Sequence, residues 1–174
     1  EMAGTDAITG LSSKVVLIRL VLPKVLNGLE DTGPYSCMVV SLDQFAHINQ
    51  AYGWKVGDRM LEESARKLAT LTEDGSEMEW YRLDGAHFVL LGPMDNNSAR
   101  QRSVDLKRWL AKENTIFDQK QMSMKASIGL VCINRLSSST SEGASKIYES
   151  LMHSLNRAKS KGGNTIEIHG ETTF

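Results

Sequence analysis

A chain of 174 residues, 41% of them hydrophobic, has the size of one domain and enough apolar side chain to bury a core. Its 20 Lys and Arg against 21 Asp and Glu leave a formal net charge of −1, which excludes a general basic field for nucleic acid or for an anionic membrane surface. No apolar run reaches the roughly 18–20 residues of a membrane span, and 1–10 lacks the basic start and apolar centre of a signal peptide.

In chain order, apolar residues at three- and four-residue spacing (Val15, Val16, Ile18, Leu22, Val25, Leu26, Leu29) predict an amphipathic helix over 12–29, with Asn27-Gly28 near its end and Gly33-Pro34 as the breaker. YSCMVVSL, 35–42, is a nearly continuous apolar strand, which implies burial on both faces and a central place in a sheet. A short helix over 43–52, a turn over 53–57 and a longer helix over 58–71 follow, the last with Met60, Leu61, Ala65, Leu68 and Leu71 inward. Strands over 79–83 and 88–91 have hairpin spacing. The pattern then gives a helix over 96–111 with Trp109 half-buried and one long strand over 121–133, in which Met122, Met124, Ala126 and Ile128 alternate with their neighbours. A solvated Ser/Thr-rich loop over 136–145, a final helix over 144–160 and a closing edge strand over 165–168 complete the chain. Cys37 and Cys132 both sit in apolar runs, where a free thiol packs as a small hydrophobe, and a reducing cytoplasm fits them.

The order αβααββαβαβ is that of an α/β (α+β) layer fold whose sheet mixes hairpins with crossovers. No repeat or internal linker interrupts it, so 1–174 is expected to form a single domain with its core at about 6–169. Composition and pattern reach as far as a cytoplasmic domain for which nucleotide binding is open.

Four stretches carry more. DAITGL (6–11), VVSLDQFAHINQAYGWKVGD (39–58), RLDGAHF (82–88) and AKSKGGN (158–164) resemble, in order and spacing, the D-x-L-T-G-L, D-I-D-x-F-K-x-I-N-D-x-x-G-H-x-x-G-D, R-x-G-G-D/E-E-F and A-K-x-x-G-R-N segments of GGDEF domains. These are the diguanylate cyclases that condense two GTP into cyclic di-GMP. The resemblance spans nearly the whole chain. It implies a nucleotidyl-cyclase-like fold, with a central mixed, mostly antiparallel sheet flanked by helices, and a module that belongs to a longer signalling protein, including the cytoplasmic part of a membrane-anchored one.

In the family, a 3′-hydroxyl attacks an α-phosphate with the help of divalent metals held by carboxylates. The two metal-ligand positions fall here on Ser41 and Ala86, so magnesium is not expected and no catalytic residue is assigned. The degenerate signature hairpin is Asp84, Gly85, Ala86, His87 and Phe88. Asp84 replaces the first glycine and is expected to set a negative charge beside the triphosphate, while the imidazole of His87 suits softer metals. The phosphate-contacting lysine is Ala46 and the arginine of the closing motif is Gly163, which leaves Lys159 to meet phosphate. Gly75 and Met78 stand where an inhibitory R-x-x-D would be, so the usual product site is expected to be absent.

The guanine-reading pair survives as Asn49 and Asp58. With Lys159, they are the candidate nucleotide-binding residues. Each has a plainer reading beside the functional one: Asp58 after Gly57 as a helix N-cap, Asn49 closing a turn. Asp43, after a strand, is read as the cap of the next helix. Gly53, Gly57 and Gly162 are read as backbone requirements. His47, His153 and His169 lack a second ligand at metal-binding spacing. Trp54 is read as a packing or partner-contact residue, and Leu151, Met152 and Leu155 as helix core.

Three readings follow. The first is a catalytically silent GGDEF-like regulatory domain with weak GTP binding. The second is a ligand-free interaction or dimerisation module whose partner is a neighbouring EAL phosphodiesterase or sensor domain or a second copy. The third is an active cyclase with atypical ligands. Loss of both metal positions favours the first two.

Overall fold

The computed structural model describes residues 4–73, 75–117 and 119–174. The main sheet has six strands in the order β1-β3-β4-β2-β7-β8, where β1 is Ser12–Ser13, β2 Tyr35–Leu42, β3 Glu79–Arg82, β4 His87–Gly92, β7 Ala126–Ile133 and β8 Ile166–Ile168. Three pairings are antiparallel (β2 with β4, β2 with β7, β3 with β4) and two are parallel (β1 with β3, β7 with β8). Strands β5 (Asn114–Phe117) and β6 (Lys120–Ser123) form a separate two-stranded sheet. The helices are α1 (Lys14–Val16), α2 (Leu22–Asn27) and α3 (Leu29–Thr32) before β2, α4 (Phe45–Tyr52) and α5 (Trp54–Thr70) after it, α6 (Asn96–Lys112) and α7 (Thr140–Ser160). The mixed, helix-flanked sheet expected from the sequence is the fold observed.

Strand β2 sits between β4 and β7, and its side chains alternate between two cores. Met38, Val40 and Leu42 face one layer with Phe88, Leu90, Ile128 and Leu130, covered by α4, α5 and α6 through Ile48, Met60, Leu68 and Leu106. Cys37 and Val39 face the other with Val89, Val131 and Ile133, covered by Leu17, Leu22 and Leu26 and by Ile147, Leu151 and Leu155 of α7. Helix α7 lies so close to β7 that a Cβ at Gly129 would stand 2.7 Å from Leu155 N and 2.9 Å from Leu151 O. Both are backbone atoms that cannot give way, so only glycine fits.

Four boundaries differ from the sequence reading, each for a local reason. The 12–29 segment opens with Ser12 and Ser13 paired to Tyr81 and Arg82 at the sheet edge; the Ser13 hydroxyl then accepts from Val16 N and starts the helix. A π-helical stretch, Leu17–Val21, leads directly into α2, where Pro23 cannot donate to the preceding turn. The turn expected at 53–57 is confined to Gly53, at φ +89°, and α5 begins at Trp54. The long strand expected over 121–133 breaks at Met124-Lys125, where Lys125 N donates to Ser123 Oγ and Lys125 O accepts from Asp43 N. The loop expected to run to 145 ends at Ser139, whose hydroxyl accepts from Glu142 N at 3.2 Å and caps α7. Ser139 with Glu142 three residues on is a capping-box spacing, readable in the sequence.

Candidate functional site

The end of β2, the β3–β4 tip and the end of α7 converge on one pocket of about 510 Å3. Its walls are Ser41, Leu42 and Asp43, then Phe45 and Ala46 of α4, Gly85, Ala86 and His87 of the tip, and Lys159, Gly162 and Gly163. Ser41 and His87 are cross-strand partners. Ala86 is buried, its methyl belongs to the apolar layer under α5, and its carbonyl accepts from Leu42 N at 3.2 Å. Phe88, two residues on, is fully buried. The tip is therefore packed as a shape element from the core outward.

A clamp fixes that shape. Arg82 donates through Nε and Nη2 to Gly85 O at 2.9 and 2.6 Å and through Nη1 to Asp6 Oδ1 at 2.9 Å. Asp6 Oδ2 accepts from Thr9 N and Thr9 Oγ1. Burial alone would raise the Asp6 carboxyl, but the Thr9 hydrogen bonds and the Arg82 charge outweigh it and hold it below the ordinary value. Both residues belong to motifs visible in the sequence; the pairing, 76 residues apart, was not. Asp84 is turned away from the pocket. Its carboxylate is 89% exposed, 3.5 Å from Lys14 Nζ, and it lines a different cleft with Asp6, Lys14 and Arg82. The expectation that it would crowd a bound phosphate is corrected.

Lys159 is where the motif placed it, with Nζ 3.2 Å from His87 Nε2. Burial first, and then the neighbouring Lys159 charge, push the His87 imidazole down to about 4, so at neutral pH it is uncharged and its Nε2 accepts from the Lys159 ammonium. Asp43 does not cap α4, whose N-cap is Gln44 with no side-chain bond. Its Oδ1 accepts from Ser127 Oγ at 2.6 Å and its Oδ2 from Asn164 N at 2.8 Å. It ties β7 and the loop after α7 to the end of β2. Asp43 is the pocket's one carboxylate lining, and both its oxygens are already engaged. With a serine hydroxyl, a methyl and an uncharged imidazole as the rest, the donor set does not fit a hard divalent cation. Among the described residues, no group of three or more His, Cys, Asp or Glu could hold a metal ion.

Asn49 and Asp58 lie outside the lining of this pocket; Asp58 is not the N-cap of its helix, and Asn49 lies within α4 rather than in a turn. Gly53 is the N-cap of α5, and Asp58 is the helix's fifth residue, half-buried in its second turn. The Asn49 carbonyl accepts from Gly53 N, as the carbonyl of any residue at that place in α4 would, while its side chain does something specific. A Cβ at position 57 would collide with Asn49 Oδ1 and stand 2.9 Å from its Cγ. Gly57 is the notch through which the Asn49 side chain reaches α5 beside Asp58. Asn49 follows Phe45 and Ala46, both in the pocket wall, by four and three residues, so it extends the same face of α4 by one turn, about 5.4 Å. The structure thus sets two groups of candidate residues side by side: Lys159 with the hairpin in the pocket wall, and Asn49 with Asp58 at the α4–α5 junction. Of the two positions that the resemblance aligns with an inhibitory R-x-x-D, Gly75 is exposed and Met78 lines a separate cleft of about 1060 Å3 floored by Trp80, Leu90, Met94 and Leu106.

Comparison with known proteins agrees with the geometry. Residues 3–165 match the family model described as diguanylate cyclase, GGDEF domain. Diguanylate cyclase A of Treponema denticola is 25% identical over 172 residues, 97% of this chain and 45% of that protein. The GGDEF domain of FimX from Pseudomonas aeruginosa superposes with a TM-score of 0.81 at 15% identity, covering 94% of this chain and 98% of that one. The GGDEF domain of DgcB from Caulobacter crescentus, solved with c-di-GMP, gives 0.80 at 14% identity, with 97% of each chain covered. At these identities the two structures speak for the fold, and the chain spans less than half the length of the curated cyclase.

Proposed function

The chain belongs to the GGDEF family, and on that premise we propose that it is a catalytically silent GGDEF module of cyclic di-GMP signalling that holds a guanine nucleotide weakly and without a metal. The observation that carries this reading is the chemistry at the two positions where the family places metal carboxylates: the Ser41 hydroxyl, in a strand buried to its end, and the Ala86 methyl, packed in the core. Neither can accept the charge of a divalent ion or help organise an in-line displacement. What remains is Lys159 for phosphate, and Asn49 with Asp58 for the guanine edge. Such polar pairs are worth roughly 1–3 kcal/mol each, which supports a guanine preference at millimolar to high-micromolar affinity on the order expected for a few contacts. The module then acts on a neighbouring domain of a longer cytoplasmic or membrane-anchored protein; among the described residues no helix is long and apolar enough to cross a membrane.

Purified protein incubated with GTP and either magnesium or manganese should yield no cyclic di-GMP by chromatography. Turnover that disappears on changing Asp43 to Ala would place a metal ligand there and sink the proposal. A second reading, a ligand-free module that docks an EAL or sensor domain or a second copy, draws on apolar exposure near the N-terminus, where Val15 is 49% and Leu20 65% exposed. Equal indifference to GTP, GDP and ATP in a thermal-shift series would favour it.

A further inference from the structure

Trp54 is the most exposed large hydrophobic side chain among the described residues, at 68%, whereas Trp80 is 7% exposed and Trp109 half-buried. Of the packing and partner-contact roles expected for it, packing within the chain is not met. Its place is specific. Trp54, Gly57, Asp58 and Leu61 fall at i, i+3, i+4 and i+7 of α5, one stripe of the helix. Leu61 is buried in the core and Gly57 is filled by Asn49, so where the stripe leaves the core it presents Asp58 and then the indole. Helical Cα–Cβ bonds tilt toward the N-terminus, which leans the Asp58 carboxylate over the turn that begins with Trp54. Lys55 Nζ lies over the ring, 5.7 Å from its centroid.

We propose that Trp54 is the stacking platform for the guanine base whose edge Asn49 and Asp58 read. An amide and a carboxylate fix a purine edge in its own plane, and they leave its faces to water unless a π surface is at hand. An indole one helical turn from the carboxylate supplies that surface at little entropic cost, having two side-chain torsions. The assignment rests on the guanine-reading role of the pair, and it adds a contact that is indifferent to phosphate count: guanosine, GDP and GTP all gain from it.

The test is calorimetric titration of the full chain with guanosine, GDP, GTP and ATP, on wild type, Trp54→Ala, Trp54→Phe and Asp58→Ala, with thermal melts to verify folding. Trp54→Ala should weaken all three guanine ligands by about tenfold, in keeping with base–aromatic stacking, and Trp54→Phe should restore most of the loss. Asp58→Ala should level GTP with ATP and leave indole fluorescence still quenched by nucleotide. If Trp54→Ala binds as wild type does while Asp58→Ala loses guanine preference, the edge-reading pair stands and the stacking role is overturned. If wild type binds none of the four, both fall together.

Discussion

The pocket between the hairpin tip and α7 and the α4–α5 junction are a helical turn apart, yet the sequence has treated them differently. At the pocket, the residues facing the cavity include Ser41, Ala86 and His87, and the one lining carboxylate, Asp43, is bound to Ser127 and Asn164. At the junction, Asn49, Gly57 and Asp58 are all present, and the packing depends on the first two, because the Asn49 amide occupies the space a side chain at 57 would need. Charge chemistry can be lost from the first region with the backbone intact, since the tip is held by Arg82 on Gly85 and Asp6 and by the core under Ala86 and Phe88. The second region has no such independence. There the proposed recognition group Asn49 is also a packing group, so its placement persists as long as the fold does.

The largest effect should come from forcing charge back into the pocket. Ala86→Glu puts a carboxylate into a position 5% exposed within an apolar layer. Burying it without a partner should cost roughly 2–4 kcal/mol, read as a lowered melting temperature. Millimolar manganese should not rescue that single variant, because Ser41 and His87 offer no second carboxylate, and it should partly rescue Ser41→Asp/Ala86→Glu. Rescue of the single variant would mean that Asp43 can leave Ser127 and ligate, and the contrast between the two regions would then be one of degree.

A smaller effect separates the two regions by pH. The folded pKa of His87, about 4, lies below its ordinary 6.5, so the unfolded chain takes up the proton first. Stability is therefore full above pH 6.5 and declines as pH falls toward 4. His87→Gln should remove that part of the acid sensitivity, a difference of roughly 1–2 kcal/mol at pH 4.5 once partial exposure and screening are allowed for. Denaturant titrations at pH 7.5 and 4.5 measure it. Identical pH dependence in the two proteins would show the imidazole to be solvated, with Lys159 free to swing out.

What the sequence disclosed, and what it withheld, follows contact range. YSCMVVSL announced a central strand because burial on both faces writes itself into consecutive residues. Ser41 and Ala86 could be placed because each sits in a motif of fixed spacing. The roles of Asp43, Asp84 and Arg82 could not, since each is set by a partner elsewhere: Asn164 lies 121 residues from Asp43, Asp6 76 from Arg82, and Lys14 is on another element from Asp84. The break between β6 and β7 escaped because the same alternation continues through Met122, Met124 and Ala126 while the pairing partner changes from β5 to β2. Gly53 and Gly57 looked alike in the sequence; one ends a helix by its φ and the other sits inside a helix for lack of a Cβ.

That last distinction gives the smallest stability effect and the sharpest test of the junction. Alanine at 57 restores an ordinary helix residue, a gain of about 1 kcal/mol in the interior of α5. Its Cβ must displace the Asn49 amide, the end of a mobile side chain rather than backbone, and the half-buried amide then loses its place beside Asp58. The two terms nearly cancel, so the melting temperature of Gly57→Ala should change little, by an equivalent of under about 1 kcal/mol. Guanine preference should nonetheless disappear, because Asp58 without Asn49 reads only half of the purine edge. Measured against Gly53→Ala, where the strain of φ +89° lowers stability without touching the notch, the pair of variants separates recognition from folding. Should Gly57→Ala keep a wild-type ratio of GTP to ATP binding, the notch is a packing device alone and the Asn49–Asp58 pair does not read the guanine edge.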